Sequence, residues 1–161
     1  MFNFKAELHL KIIFLFSFIA LISAFFIEHA LGHQPCNLCL IERIPYGLSI
    51  IIIMVAFLTK KNRKFLVLLL ILTFIFSFAI SFYHYGIEQG FFQESSICGL
   101  KNFTESITKE DLLKQLSEKT ISCRDVTFRI FGLSLTSINI VISILFIITL
   151  IKIFKKYEKN K

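Results

Sequence analysis

The sequence predicts an all-α membrane protein: a four-transmembrane-helix bundle with a short amphipathic helix in its second external loop. Three observations carry that expectation. Of the 161 residues, 55% are hydrophobic and 20 are Phe, with a mean hydropathy of +0.73. Soluble domains are about 45–50% apolar even with glycine counted, and a globule this small has too little interior for the excess. Four long uncharged runs account for it, and clustered Lys and Arg bracket them.

A helix needs about 20 predominantly apolar residues to cross a bilayer. Ile12 to Ile27, Ile44 to Thr59, Phe65 to Tyr83 and Ile130 to Ile151 carry no charge. The runs are apolar on all sides, so length and flanking charge identify them rather than periodicity. The expected spans are 10–28, 40–59, 65–83 and 131–151, in a single integral membrane domain over 1–161. The first run is longer than a signal-peptide core and no clear small-x-small site follows it, so it reads as an uncleaved span.

The net charge of +7 is distributed as a topology signal. Lys5 and Lys11 precede the first span, while Lys60, Lys61, Arg63 and Lys64 fill the link between spans two and three. Lys152, Lys155, Lys156, Lys159 and Lys161 dominate the tail. Together these are 11 of the 18 basic residues, against Glu7 and Glu158 alone. Positively charged short loops stay in the cytoplasm, which puts both termini there and loops 29–39 and 84–130 outside. Six basic and seven acidic residues share 84–129, so that loop has no basic patch for nucleic acid. Within it Thr108 to Glu118 reads as a helix, with Thr108 as N-cap and Glu110 and Asp111 in the first turn. Leu112, Leu113 and Leu116 share one face, suited to lipid headgroups or to the rest of the protein. Asn102-Phe103-Thr104 matches a glycosylation sequon, which carries no weight without a eukaryotic context.

All four cysteines fall in the two external segments: Cys36 and Cys39 in the first, Cys98 and Cys123 in the second. Disulfides persist outside the cytoplasm, so two pairs are the natural reading, although four cysteines permit three connectivities. Cys36-Asn37-Leu38-Cys39 has the Cys-x-x-Cys spacing of redox centres and of zinc sites. Cys39 is expected at the start of span two, where unpaired amides favour thiolate, with Pro45 early in the same helix. Cys39 and Arg43 are one turn apart, and Cys36 joins their face if the helix begins near Pro35. A guanidinium near the bilayer boundary is costly, so Arg43 is expected either to bind an anion or ligand oxygen, or to pair with Glu42 or snorkel. His29 and His33, four apart, are expected to be interfacial side chains; a metal reading with Cys36 and Cys39 is the lesser alternative.

Pro35-Cys36-Asn37-Leu38-Cys39-Leu40-Ile41-Glu42-Arg43 resembles the signature of the DsbB disulfide-bond oxidoreductases. The resemblance covers nearly the whole chain. It includes the external cysteine pair, Tyr83-His84-Tyr85-Gly86-Ile87-Glu88-Gln89, and Phe131-Gly132-Leu133-Ser134 at the last span. The chain departs from the family in having no Trp; Tyr46, Tyr83, Tyr85 or Phe91 would stand in at the interface. The resemblance implies a multi-pass bacterial inner-membrane enzyme, a protein-dithiol:quinone oxidoreductase with its active-site loops in the periplasm. It implies that Cys98 and Cys123 form the disulfide attacked by a reduced DsbA-like periplasmic thiol oxidase, at Cys98. Cys123 would exchange with Cys36, leaving Cys39 to face ubiquinone or menaquinone from the membrane quinone pool. Arg43 would hold a quinone oxygen, and His84 would be a quinone neighbour or an interfacial histidine without chemistry. No resident metal is implied. Structural disulfides are too weakly oxidising for this task, so such a relay needs exposed, strained disulfides and an electron sink.

Three alternatives stand beside that expectation. The chain could be a membrane protein merely stapled by two disulfides, or a metal-binding or transport protein using the Cys-x-x-Cys. A vitamin K epoxide reductase-like protein has a similar bundle, but its loop cysteines usually precede the Cys-x-x-Cys.

Overall fold

A computed structural model describes residues 4–59, 62–94, 98, 122–124, 129–130 and 132–159. The amphipathic helix expected over Thr108 to Glu118 lies outside the described residues.

Among the described residues the chain is all-α apart from one short strand pair. Helices α1 (Phe4–His29), α2 (Asn37–Ile41), α3 (Ile44–Leu58), α4 (Arg63–Glu88) and α5 (Leu135–Lys159) follow in order. Four segments are long and apolar enough to cross a membrane: Ala6–His29, Asn37–Leu58, Arg63–Glu88 and Leu135–Glu158. At about 1.5 Å per residue, helices of this length cover or exceed a hydrocarbon core of about 30 Å.

The packing is that of a lipid-facing bundle. Leu15, Ile22, Phe26, Ile51, Leu72, Phe76 and Leu145 are exposed, whereas Ser17, Ser49, Ser77, Ser81 and Ser143 are fully buried. Lipid offers no hydrophobic drive between helices, so small residues and interhelical hydrogen bonds fill the seams. Ser49 Oγ donates to Ser17 Oγ at 2.9 Å between α3 and α1, and Ser143 Oγ to Ser77 Oγ at 3.2 Å between α5 and α4. Apolar residues close the half of the bundle nearer the basic end: Leu10, Ile13, Ile53, Leu70, Phe74 and Leu150 form one core. Phe74 meets Phe146 edge-on at 5.0 Å, a favoured aromatic geometry.

The basic ends meet as the charge distribution predicts. Arg63 reaches Glu7 at 3.9 Å and Lys64 reaches Glu158 at 3.7 Å, so the start of α1, the start of α4 and the end of α5 share one end of the bundle.

Two boundaries differ from the sequence expectation. Span two is not one continuous helix: it breaks at Glu42 and Arg43. Pro45 has no N–H and its ring crowds the carbonyl four residues back, so the ladder cannot run through. Arg43 N–H instead bonds Leu40 O at 3.2 Å, a tighter turn. The last helix begins at Leu135 rather than 131. Ahead of it β1 (Arg129–Ile130) pairs antiparallel with β2 (Leu133–Ser134), Arg129 opposite Ser134. Gly132 turns the chain between them at φ +83°, a conformation that glycine adopts without penalty.

Candidate functional site

The opposite end of the bundle gathers the chemistry. Cys36 is the N-cap of α2, with φ −71° and ψ 166°, and its Sγ accepts the Cys39 N–H at 3.3 Å. The free amides at the helix start therefore serve Cys36, not Cys39 as the sequence reading expected; Cys39 sits one turn in. The neighbouring Cys39 thiol, helped by His84, holds the Cys36 thiol well below the ordinary thiol range against the opposing effect of its burial. Both inner cysteines are free thiols.

His84, on α4, is 2% exposed and lies behind the cysteines. Its Nε2 is 3.6 Å from Cys36 Sγ, and its Nδ1 is 2.9 Å from Glu42 Oε1 at the helix break. Asn139 Nδ2 on α5 donates to Glu42 Oε2 at 3.3 Å and to Ser81 Oγ at 2.7 Å, while its Oδ1 accepts from the Tyr46 hydroxyl. Thr136 Oγ1 donates to Glu88 Oε1 at 2.6 Å and also contacts His84 Nδ1 at 3.4 Å. Glu42, Glu88, Thr136, Asn139 and Tyr46 thus form a polar network around His84 that the sequence reading did not assemble. A signal was present: polar side chains within apolar spans face protein, not lipid, and find partners.

Arg43 reaches across to α1. Its Nη1 donates to Glu28 Oε2 at 2.5 Å, and its guanidinium lies 5.3 Å from the centre of the Phe25 ring. Its carboxylate partner is Glu28 rather than Glu42, which turns instead to His84.

Beside Arg43 opens a cleft of about 270 Å³. Phe16, Ala20, Ala24 and Ile27 of α1 and Leu135, Ile138 and Ile142 of α5 form apolar walls, with His33, Cys39, Glu42 and Arg43 contributing polar groups. Cys39 and Arg43 thus line the same cavity, while His84 does not line it. An apolar slot with a few convergent polar groups suits a flat lipid-soluble ring. A guanidinium carries five N–H donors, so the Glu28 bond does not exhaust Arg43.

The outer pair is joined: Cys98 and Cys123 form a disulfide with Cα atoms 5.5 Å apart. Both are buried, where the relay expectation had an exposed disulfide, because they pack in one cluster with Cys36, Leu38 and Ile87, with Cys39 against it. Four cysteines from three segments therefore converge at one end of the bundle. The segment after α4 helps to hold them. Gly90, at φ +78°, folds the chain back so that Phe92 covers Gly86 and stacks on Tyr83 at 5.7 Å. Glu94 then accepts from the Ser122 hydroxyl and from Arg124 N–H at 3.0 Å, tying 90–94 to the residues flanking Cys123. His29, by contrast, donates to its own helix at Phe25 O.

A family model for disulfide bond formation protein DsbB matches residues 7–153, which include all four cysteines and Arg43. The chain belongs to the DsbB family. It is also 31% identical over 147 residues to the uncharacterized protein RP370 of Rickettsia prowazekii (strain Madrid E), covering 90% of this chain and 86% of that protein. As a DsbB-family member with four candidate spans, the protein is a multi-pass membrane protein of disulfide-bond formation, with an oxidoreductase role.

Proposed function

We propose that the protein reoxidises a DsbA-like periplasmic dithiol protein and delivers the electrons to a membrane quinone, ubiquinone or menaquinone. The observation that carries this reading is the placement of Cys39 and Arg43 on one apolar cleft while Cys36 packs with the Cys98–Cys123 disulfide. The inner pair therefore borders both the outer disulfide and the cleft.

A thiolate of the reduced partner attacks Cys98 and releases Cys123 as the leaving sulfur. Cys123 exchanges at Cys36 of an oxidised Cys36–Cys39 pair, and Cys39 is released at the cleft wall. The partner's second thiolate closes its own disulfide and frees Cys98, which attacks Cys123, restores the Cys98–Cys123 disulfide and releases Cys36, so that Cys36 and Cys39 are left reduced. For each disulfide made, the partner loses two electrons and two protons. Bound in the cleft, the quinone supplies the two-electron sink and takes up the two protons. Arg43 supplies donors and positive charge where an oxygen gains electron density. The apolar walls seat an isoprenoid tail and keep water from the sulfurs. The protein lies in the bacterial inner membrane, with N- and C-termini cytoplasmic and the cysteine loops periplasmic, as the Lys and Arg distribution favours.

Purified protein supplied with a reduced DsbA-like partner and ubiquinone-1 tests the proposal. Turnover should bleach the quinone in step with partner oxidation. No bleaching, or Cys39→Ser turning over like wild type, would leave the cysteines as mere staples.

A further inference from the structure

Thiol exchange needs Cys36 and Cys39, but it does not need a third donor beside them. Donor atoms of Cys36, Cys39 and His84 all lie within 4.8 Å of one another, brought from two helices. Among the described residues this is the group of three such donors that the fold assembles. Cys-x-x-Cys is a recurrent chelating spacing because both sulfurs can reach one ion.

The distances have the right scale. A tetrahedral zinc takes sulfur at about 2.3 Å and imidazole nitrogen at about 2.0–2.1 Å, which sets those two ligands about 3.6 Å apart. Cys36 Sγ and His84 Nε2 are 3.6 Å apart already. The histidine is also oriented for the task. A carboxylate oxygen accepts from a ring N–H, so the 2.9 Å bond to Glu42 keeps a proton on Nδ1 and makes Nε2, which faces Cys36, the nitrogen that a metal would take in place of the proton it shares with that sulfur. A carboxylate on the far nitrogen is the usual outer support of a metal-binding histidine. Asn139 in turn fixes Glu42.

We propose that the reduced Cys36–Cys39 pair and His84 Nε2 form a site for Zn2+ or a similar thiophilic d10 cation, occupied only while both cysteines are reduced. On binding, two protons leave, the one shared by Cys36 and His84 Nε2 and the one on the Cys39 thiol, and neither sulfur nor metal changes oxidation state. Three protein ligands leave one position for water or another small ligand. The bound thiolates are withheld from disulfide formation, so the ion holds the protein in its reduced form. That consequence rests on the thiol-oxidase reading; the binding itself does not.

The test uses the full chain in detergent with Cys98→Ala and Cys123→Ala, so that no outer sulfur contributes. After reduction and anaerobic desalting, Zn2+ is titrated in competition with a chromophoric chelator, and Co2+ serves as the spectroscopic probe. One zinc per chain is expected in the reduced protein, and less than a tenth of that after diamide oxidation. Co2+ should give a thiolate charge-transfer band that Cys36→Ser abolishes. Glu42→Gln, with helicity checked by circular dichroism, should weaken zinc about 10–100-fold, and His84→Ala at least as much. Should the histidine variant fail to fold, the redox dependence and the cobalt band of the parent chain still decide. Reduced protein that retains no zinc overturns the proposal. So does zinc that survives oxidation, or zinc that a folded His84→Ala variant holds as tightly. Quinone reduction without zinc binding sinks this site alone; zinc binding without quinone reduction sinks the oxidase reading and leaves the site.

Discussion

Arg43, on the wall of the apolar cleft, forms an ion pair with Glu28, Nη1 to Oε2 at 2.5 Å, bridging the break in span two to the end of α1. The pair is partly shielded, with side chains 17% and 26% exposed, and the Phe25 ring lies against the guanidinium. A cation held in that way costs little reorganisation when an electron-rich oxygen arrives beside it.

Replacing Arg43 by Gln removes the charge and the fork of donors while keeping a polar side chain. The apparent KM for ubiquinone-1 should rise at least tenfold, about 1.4 kcal/mol of lost binding, with a smaller effect on turnover at saturation. Arg43→Lys should recover part of the loss, since a lysine keeps the charge without the planar geometry. Steady-state quinone reduction over a range of ubiquinone-1 concentrations measures both. Wild-type behaviour at every concentration removes Arg43 from the cleft's function.

The two cysteine pairs should separate by substrate. Cys98→Ala breaks the outer disulfide and should abolish oxidation of a protein partner. A small dithiol such as dithiothreitol, which can reach the inner pair directly, should still support quinone reduction. Cys39→Ser should lose both. Equal residual activity of the two variants with the two reductants contradicts a relay that runs outer pair to inner pair.

A packing test bears on how the outer loop is held. A Cβ on Gly86 would overlap the Phe92 ring, so Gly86→Ala must push the ring off Tyr83. Overpacking of this kind costs about 1–3 kcal/mol. Unfolding in a denaturing detergent should register that loss. The double variant Gly86→Ala, Phe92→Ala should recover part of it, as expected for residues in contact. Strict additivity of the two changes argues that the ring does not cover the glycine.

Much of this was legible in the sequence, and the reason is the solvent. Lipid imposes length and composition on a span, and loop charge records the side, so the four apolar runs and their shared basic end could be read directly. What could not be read depends on partners distant in the chain. Nothing local says that Arg43 turns to Glu28 rather than to adjacent Glu42, because the choice follows from the break Pro45 imposes. The helix start fell on Cys36 instead of Cys39 for a similar reason: capping is decided by backbone geometry over a few residues. Ser17, Ser49, Ser77 and Ser143 lie within apolar runs with no local pattern to set them apart, yet they mark the seams where helices meet.

Asn139 offers the sharpest test of the polar network. It links three elements, donating to Glu42 and Ser81 and accepting from Tyr46. Asn139→Leu is close in volume but leaves a buried carboxylate oxygen and a buried hydroxyl short of partners. An unsatisfied buried polar group costs about 1–3 kcal/mol, more when charged, so the variant should be markedly less stable than Ser143→Ala, which removes one serine–serine bond. Tyr46→Phe should fall between them, since it deletes a single donor and keeps the ring against Phe74. Detergent-unfolding midpoints of the three variants give the order directly. If Asn139→Leu unfolds at the wild-type midpoint, Glu42 is not held by Asn139, and the orientation of His84 must come from elsewhere.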